Sequence, residues 1–552
     1  MTETPRARRA AILAVAAAAA LLVGWPIVRL LGVAIEEGPA QIVRTLTGPR
    51  VGIAVWNTIW TAGLTALVAV FAGTAAALVT ERTGVPGQRW LRIGILLPVV
   101  VPPFVSAFGW TRAFGPRGLF DQLFGISLPG LYGPLGIVLV LSVAASPLVW
   151  LIVAGALATR VEPDLERAAR ASGAGRIVTL RTVTLPLLRP ALLSAAVVVF
   201  VSAVNAFGVP AVLGTPAGFT TITTRLYQDL ALSADPAAFV RATTLAVSLI
   251  VLASAVVGSA DALLAGHATS RTALPAGAPA GSAGGRVLAL LLGGAIALTT
   301  ILPFSALGLA AVTRAAGLAP VPANWTLDNF ATAIDGRFVA GLGHSLLLSV
   351  VAATVVLGLG AIAAGVLRGR SRSLGTAVTL GFAVPGSALA VGVLLAYGGW
   401  LRNSLAIILV AYVAKFWALG YRQLAGSVDR LPADQVRAAR ASGAAPLDAL
   451  RSVIVPFMRP SLVAAWLIVF VFALHELTMS SLLYGPNSAT LAVVVLNVQQ
   501  LGDPTVTAAL ALLLTGIVAL AAAPLAVLWA VLAPAGANGR RRRRDRRPEL
   551  AA

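Results

Sequence analysis

The sequence predicts an all-α membrane protein of about twelve transmembrane helices, built as two parallel six-helix repeats. Three observations predict this class: the composition, a series of long apolar runs, and an internal repeat. Of the 552 residues, 58% are hydrophobic and only 11% are charged, whereas a soluble domain carries about 25% charged residues. Apolar runs of about 20 residues, the length that crosses a bilayer, recur along the chain. These runs are continuous rather than alternating, which argues against a β-barrel.

The apolar runs divide the chain into two sets of six spans. The predicted spans are 10–32, 54–80, 91–113, 133–159, 191–214, 238–263, 286–312, 340–367, 375–398, 403–424, 460–484 and 507–533. We interpret the first as an uncleaved helix rather than a signal peptide, because many spans follow it. Residues 266–285, rich in Gly, Ala, Ser and Pro, are typical of a flexible linker. The predicted domains are therefore repeats at 1–265 and 286–536, with a basic tail at 537–552.

Arginine distribution predicts the orientation of the chain. The net charge is +21, and Lys415 is the one lysine. Arginines cluster in alternate loops, whereas the opposite loops carry more acidic residues. The positive-inside rule then places both termini and the basic tail in the cytoplasm of a multi-pass cell-membrane protein. We expect this charge to contact membrane lipid, with no nucleic-acid partner.

The phrase RAARASGA occurs twice, at 167–174 and 437–444, shifted by 270 positions. The similarity continues without gaps over residues 163–193 and 433–463. Each copy follows the fourth span of its half and precedes the fifth. Because six spans return the chain to its starting side, the two halves enter the membrane from the same side. They are expected to pack as parallel repeats about an axis along the membrane normal.

Each copy predicts a short helix in a cytoplasmic loop. The first would run from about residue 163 to 172 and end at Gly173, a common C-terminal stop. Leu-Pro at Pro186 would then break the chain before it returns to the membrane at Arg189–Pro190. A helix with a small alanine face suits insertion into a groove on a cytoplasmic partner. An ordinary solvated loop that survived duplication is the alternative.

Both loops resemble the EAA loop of ABC importer permeases, in which Glu-Ala-Ala, three residues and Gly precede a hydrophobic–Pro step. The matching residues are Arg167, Ala168, Ala169, Gly173 and Pro186 in the first loop, and Arg437, Ala438, Ala439, Gly443 and Pro456 in the second. The acidic position is arginine in both loops; Glu166 lies one place early in the first, where the second has Val436. The resemblance implies a type I permease fold and two cytoplasmic coupling helices. It also implies two ABC ATPase subunits and an extracytoplasmic substrate-binding protein as partners.

Two further stretches, residues 200–228 and 475–503, resemble the segments after the fifth span in ferric-iron importer permeases. This resemblance implies ferric iron as the substrate, with thiamine and aminoethylphosphonate permeases as the alternative relatives. The binding protein is then expected to dock on the outer surface formed by segments such as 214–236 and 484–504.

The chain shows no catalytic constellation of its own. A P-loop needs Gly-Lys-Ser/Thr, and the one lysine follows Ala414. There is no cysteine, and the three histidines have no metal-ligand spacing. We therefore expect a transport subunit rather than an enzyme, with no catalytic residues, no metal site and no cofactor.

Polar residues within apolar spans are the best sequence indicators of a translocation path. His475 and Glu476 fall near the middle of the predicted eleventh span, and the 270 shift places Asn205 opposite His475. The three residues are candidates for the path, with a structural hydrogen bond between helices as the alternative. An ion-coupled secondary transporter using Glu476 is the competing function, and a membrane scaffold is a third. Two matched docking loops favour the ATP-driven importer.

Overall fold

A computed structural model describes residues 5–161, 163–235, 237–264, 283–367, 384–431 and 433–532, and its regular structure there is helical. Helices of the first half are α1 (Pro5–Ala19), α2 (Trp25–Glu36), α3 (Pro39–Thr47), α4 (Pro49–Arg82), α5 (Gln88–Val100), α6 (Pro103–Phe114), α7 (Leu119–Phe124), α8 (Pro134–Thr159), α9 (Pro163–Ala171), α10 (Arg176–Thr179), α11 (Leu185–Val204), α12 (Ile222–Tyr227) and α13 (Ala238–Leu264). The predicted all-α membrane fold is confirmed.

The second half repeats this order of elements. Its helices are α14 (Ala283–Ile296), α15 (Leu302–Ala311), α16 (Asp328–Ala333), α17 (Gly336–Leu367), α18 (Gly386–Leu401), α19 (Leu405–Asp429), α20 (Ala433–Ala441), α21 (Pro446–Ala449), α22 (Val455–Leu474), α23 (Ser480–Leu483), α24 (Leu491–Gln500) and α25 (Pro504–Leu532). From α9 to α11 and from α20 to α22, every boundary is shifted by 270 residues. Most of the predicted linker and the whole basic tail lie outside the described residues.

Ten helices in the described part of the chain are long and apolar enough to cross a membrane. The helical segments Gln88–Val100 and Pro103–Phe124 meet at an angle of 106°, a geometry shared by a divided span and a re-entrant segment. The predicted span at 91–113 is thus two helical segments with a bend between them. Val101 and Pro102 are extended at the bend, and neither Pro102 nor Pro103 can donate a helical hydrogen bond. Residues 375–383 of the predicted span at 375–398 are outside the described residues.

The helices that follow the two RAARASGA loops begin earlier than predicted. The crossings run over Arg176–Val204 and Leu450–Leu474, not 191–214 and 460–484. The expected break at Pro186 and Pro456 is also wrong. A π-helical turn precedes each proline, and Leu185 N–H bonds to Leu180 O, five residues back. The wider turn accommodates the missing proline N–H, so the helix continues through both prolines.

The first membrane helix of each half packs against the other half. α2 lies on α18, and α15 lies on α6. Both crossings use a glycine against a backbone carbonyl: a Cβ on Gly109 would lie 2.8 Å from Pro303 O, and one on Gly392 would lie 2.8 Å from Pro26 O. The two contacts are equivalent under the repeat. The halves are therefore interlocked rather than merely adjacent.

Large apolar side chains cover the outside of the bundle. Trp56, Phe71 and Trp90 are between 65% and 76% exposed. Water would oppose such exposure in a soluble protein, whereas lipid chains accommodate it. Inside the halves, α4 approaches α8 closely at Gly73, and α17 approaches α19 at Gly360 and Gly420. Small residues at these crossings allow the close backbone packing that stabilises helix pairs in lipid.

Candidate functional site

The two RAARASGA loops fold identically. Each forms a nine-residue helix, α9 or α20, that ends at a glycine in the left-handed region, with φ of 89° at Gly173 and 87° at Gly443. Ala174 N–H bonds to Ala169 O at 3.0 Å, and Gly173 N–H bonds to Arg170 O at 3.0 Å. This pair of bonds is the Schellman ending of a helix. The predicted short helices and their glycine stops are confirmed.

The side of each loop helix that faces away from the bundle is basic and small. Arg167, Ala168, Arg437 and Ala438 are exposed, whereas Ala169 and Ala439 are half-buried. Each arginine at the position of the motif glutamate forms an ion pair on its own helix, Arg167 with Asp164 and Arg437 with Asp434. These surfaces present no unpaired acidic group at that position.

Glu166 points the opposite way, into the bundle. Its side chain is only 9% exposed, and one carboxylate oxygen accepts a hydrogen bond from Thr184 Oγ1 at 2.7 Å. Thr184 lies in the π-helical turn before Pro186. The carboxylate of Glu166, one residue before the acidic position of the motif, thus attaches α9 to the helix that follows.

A second site forms where α11 and α22 end. His475 and Glu476 lie in a break after Leu474, not in the middle of a span, and Asn205 lies in the equivalent break after Val204. The two breaks approach each other, because a Cβ on Gly208 would lie 2.6 Å from Phe104 Cβ and 3.1 Å from Leu477 Cδ2. Phe104 and Leu477 are themselves buried. The halves therefore meet through apolar contacts at these breaks.

Glu476 caps the short helix that follows its break. Its carboxylate accepts hydrogen bonds from Met479 N–H at 2.9 Å and Ser480 N–H at 3.1 Å. Ser480 Oγ lies 3.2 Å from the same carboxylate and 2.6 Å from Tyr412 Oη. An anion at a helix N-terminus is stabilised by the free N–H groups there. Glu476 therefore has a structural role as a helix cap, whether or not it also contacts cargo.

Asn205 and His475 do not bond to each other. Asn205 Nδ2 donates to Val201 O at 2.8 Å, which satisfies a terminal carbonyl of α11. Its Oδ1 is buried and has no hydrogen-bond partner among the described residues. The His475 ring lies 6.1 Å from the Phe472 ring, centroid to centroid. The role of Asn205 and His475 in a translocation path stays a prediction.

Lys415 stabilises a further discontinuity. Its Nζ donates to Val384 O at 2.6 Å, directly before Pro385 and α18. A contact from α19 thus satisfies a backbone carbonyl directly before α18. Nothing in the sequence indicates this contact, because a lone lysine in an apolar span specifies no partner.

A cluster of ion pairs lies in the segment 214–236, beyond the break after α11. Asp229 is buried and bonds to Arg225 Nε at 3.2 Å and Arg241 Nη2 at 2.9 Å. Arg241 also contacts Asp235 at 2.7 Å. This hydrogen bond, with a second from Ala237 N–H, lowers the pKa of Asp235 below its ordinary value. The cluster fixes the chain between α12 and α13 on the side away from the RAARASGA loops.

No group of three or more histidine or acidic side chains is placed to hold a metal ion within the described ranges. The polar atoms at the breaks are instead used mainly to cap helix ends. The arrangement has the elements of a transport protein: paired surface loops, long lipid-facing helices and a closed contact between two halves.

These features define a multi-pass membrane protein made from two copies of one unit. The sequence matches the family described as "binding-protein-dependent transport system inner membrane component" over residues 69–264 and again over 356–535. Together these matches cover more than half of the chain, which belongs to this family. It is therefore a permease-type transport subunit with two family units in one polypeptide.

Curated relatives agree with this family and differ in cargo. A probable ABC transporter permease of Sinorhizobium fredii is 26% identical over 500 residues, covering 86% of each chain. A putative ferric transport system permease of Haemophilus influenzae is 25% identical over 476 residues, covering 81% of this chain and 72% of the relative. A probable molybdenum ABC transporter permease of Haloferax volcanii is 34% identical over 172 residues, covering 31% of this chain and 62% of the relative.

Proposed function

We propose that this permease imports ferric iron and is driven by two ABC ATPase subunits docked on the RAARASGA loops. An extracytoplasmic binding protein delivers the cargo to the opposite face, which includes the segments 214–236 and 484–504. The observation that carries the proposal is the twin loop helix, repeated at a spacing of 270 residues with the same glycine ending. An importer that uses paired ATPases needs two equivalent docking helices. An ion-coupled carrier needs neither.

The attachment of the ATPase is tested with the tagged chain, purified together with the ATPase and reconstituted in liposomes. ATP hydrolysis that copurifies with the chain supports the proposal, provided that changes at the exposed Ala168 and Ala438 weaken the attachment. Substitution of both residues by Asp brings a carboxylate next to the proposed contact. Full attachment and uptake in this double variant would contradict docking at the loops.

Asn205, His475 and Glu476 are proposed to border the path at the two breaks. The buried contact of Gly208 with Phe104 and Leu477 closes the path between them. Transport requires this apolar contact to separate. The unpartnered Oδ1 of Asn205 supports a polar lining that becomes accessible on opening.

Ferric iron is supported by the Haemophilus relative, which matches most of the chain, and by the two stretches at 200–228 and 475–503. Fe³⁺ is a hard cation that prefers several oxygen ligands, and no such group is assembled among the described residues. Selectivity is therefore proposed to reside in the binding protein, with only transient contacts in the permease.

The cargo is tested by uptake of radiolabelled iron, molybdate, thiamine and aminoethylphosphonate in cells with and without the gene. Loss of iron uptake under iron limitation, with the other three unchanged, supports the proposal. Loss of one of the others with iron uptake intact would reassign the cargo and leave the permease function standing.

A further inference from the structure

The two RAARASGA loops have the same surface phrase but different attachments to the bundle. In the first loop, Glu166 contacts side chains from three places: Thr184 Oγ1 at 2.7 Å, Arg82 Nε at 3.6 Å and Arg170 Nη2 at 3.7 Å. The contact with Thr184 is a hydrogen bond, and the two arginine contacts are charge interactions. A buried carboxylate needs such compensation, because water no longer solvates it.

Arg82 extends this network to a further helix. Its Nη2 donates to Leu157 O at 3.3 Å, in the last turn of α8, and to Val161 O at 3.0 Å, two residues beyond the end of α8. Since Arg82 ends α4 and Thr184 precedes α11, one carboxylate connects α9 to the ends of three membrane helices. A displacement of α9 would have to move these ends with it or break the network.

The second loop lacks this network. The positions that correspond to Glu166 and Thr184 are Val436 and Ile454, so neither the carboxylate nor the hydroxyl is present. Arg440, the counterpart of Arg170, has a buried Nε without a hydrogen-bond partner among the described residues. Among the described residues, α20 thus has no counterpart of the hydrogen-bonded carboxylate that holds α9, and such charge-assisted bonds are the more directional ones.

The surfaces beside the two helices also differ. Leu165 is 46% exposed and Val178 is 51% exposed in the first loop. Their counterparts are Gln435 and Asp448, both exposed. Two identical ATPase subunits would therefore meet an apolar surface at one loop and a polar, acidic surface at the other.

We propose that the loops are unequal docking surfaces, with the first positioned rigidly by Glu166 and the second free to shift. The inference rests on the proposed function, because it concerns how ATPase subunits dock on these loops. Glu166 is a positioning residue: it holds α9 and does not itself face the partner. The first loop transmits movement of the ATPase directly to α4, α8 and α11. The second loop adjusts its position afterwards.

The chain contains no cysteine, so a single cysteine can report on each loop. Ala168→Cys and Ala438→Cys place it at equivalent exposed positions, for cross-linking to a cysteine on the ATPase in the complete complex. We expect Ala168→Cys to react about tenfold faster, because the charge-assisted hydrogen bond of Glu166 keeps α9 in place. Glu166→Val should remove this difference and lower the amount of substrate imported per ATP hydrolysed.

Val436→Ala is the matched control at the other loop, and it should leave the difference between the two cysteines unchanged. Should Glu166→Val fail to fold, Thr184→Val removes only the hydroxyl donor and should slow the reaction of Ala168→Cys alone. Equal cross-linking rates at the two cysteines would overturn the proposal that the loops are unequal. The same would follow if Glu166→Val lowered the rates of both cysteines equally. Docking at the loops would stand in either case. Absence of cross-linking at both loops would overturn the docking itself.

Discussion

Gly173 and Gly443 end the two loop helices in a backbone conformation that side chains disfavour. Among the described residues, nothing lies within 4 Å of an added Cβ at either position, so substitution introduces backbone strain rather than a clash. We expect Gly173→Val and Gly443→Val each to cost about 1–2 kcal/mol locally, since left-handed backbone is unfavourable for such residues. The helix ends should rearrange, and ATP-dependent uptake should fall although the protein inserts normally.

Gly175→Val is the control for this prediction. Gly175 has φ of −66° and open space around its Cβ position, and the second loop already carries Ala445 at the counterpart. Uptake and ATPase attachment are measured on membranes with equal amounts of each variant. Unchanged uptake in the double variant of Gly173 and Gly443 would show that the loop ends have no part in coupling.

Glu476→Gln separates the path from the cap. The amide retains one oxygen for the N–H groups of Met479 and Ser480, so the stability cost should be about 1 kcal/mol, the difference between a charged and a neutral hydrogen bond. We expect uptake per folded molecule to decrease, because the charge at the break is lost. Uptake and thermal unfolding are measured on the same preparation; unfolding at lower temperature with normal uptake would limit Glu476 to capping.

At the level of single residues, the sequence predicted some of the helix ends and few of the side-chain contacts. Gly173 and Gly443 could be predicted as helix ends, because glycine adopts positive φ without a Cβ penalty. The inward contact of Glu166 with Thr184 could not, since it depends on a helix that continues through Pro186. His475 and Glu476 were placed in mid-span because hydropathy continues past Leu474, whereas the break depends on bonds between neighbouring residues.

At the level of helices, the crossings of α6 with α15 and of α18 with α2 require glycine. Gly109→Ala and Gly392→Ala each place a methyl group 2.8 Å from a carbonyl oxygen. Because backbone atoms form both sides of the contact, overpacking should destabilise each variant by about 1–3 kcal/mol. Gly308→Ala, in α15 with nothing within 4 Å, should be neutral or stabilising. Thermal unfolding in one detergent compares all three, and equal stabilities would contradict the close crossings.

The helical type of the membrane segments followed from hydropathy, but twelve spans were expected and ten long apolar helices are found in the described residues. The bends and ends of the helices did not follow from hydropathy either. The length of an apolar run predicts that the segment crosses the membrane. The same length is found whether the helix is straight or kinked, so it does not predict a kink. The 106° bend at Val101 and Pro102 and the π-helical turns before Pro186 and Pro456 all lie at prolines, which remove a backbone N–H donor from the helix. Proline indicated disruption at each place, but only the packing determines whether the helix bends or continues.

For the whole molecule, interlocked halves predict complementation between separate polypeptides. Residues 1–265 and 266–552 expressed together should copurify and support uptake, because α2 and α15 each pack on the opposite half. Either half alone should be degraded, since those helix surfaces remain uncovered in lipid. Copurification is measured with a tag on one half only.

The same two halves carrying Gly109→Ala and Gly392→Ala provide the matched control, and their association should weaken. A first half that accumulates stably and alone would contradict the interlocked arrangement. Normal association of the glycine variants would instead show that the halves are held together elsewhere.

The contact between Pro26 and Gly392 sets an order of events during biosynthesis. One residue is made near the start of translation and the other late, at positions 26 and 392. At about 5–20 residues per second, the ribosome needs roughly 20–70 s to make the intervening chain. The earliest helices must wait in the bilayer for a partner that does not yet exist, during which lipid or a chaperone covers their surface. A contact between one of the first helices made and a helix of the second half can therefore form only after most of the chain has been synthesised.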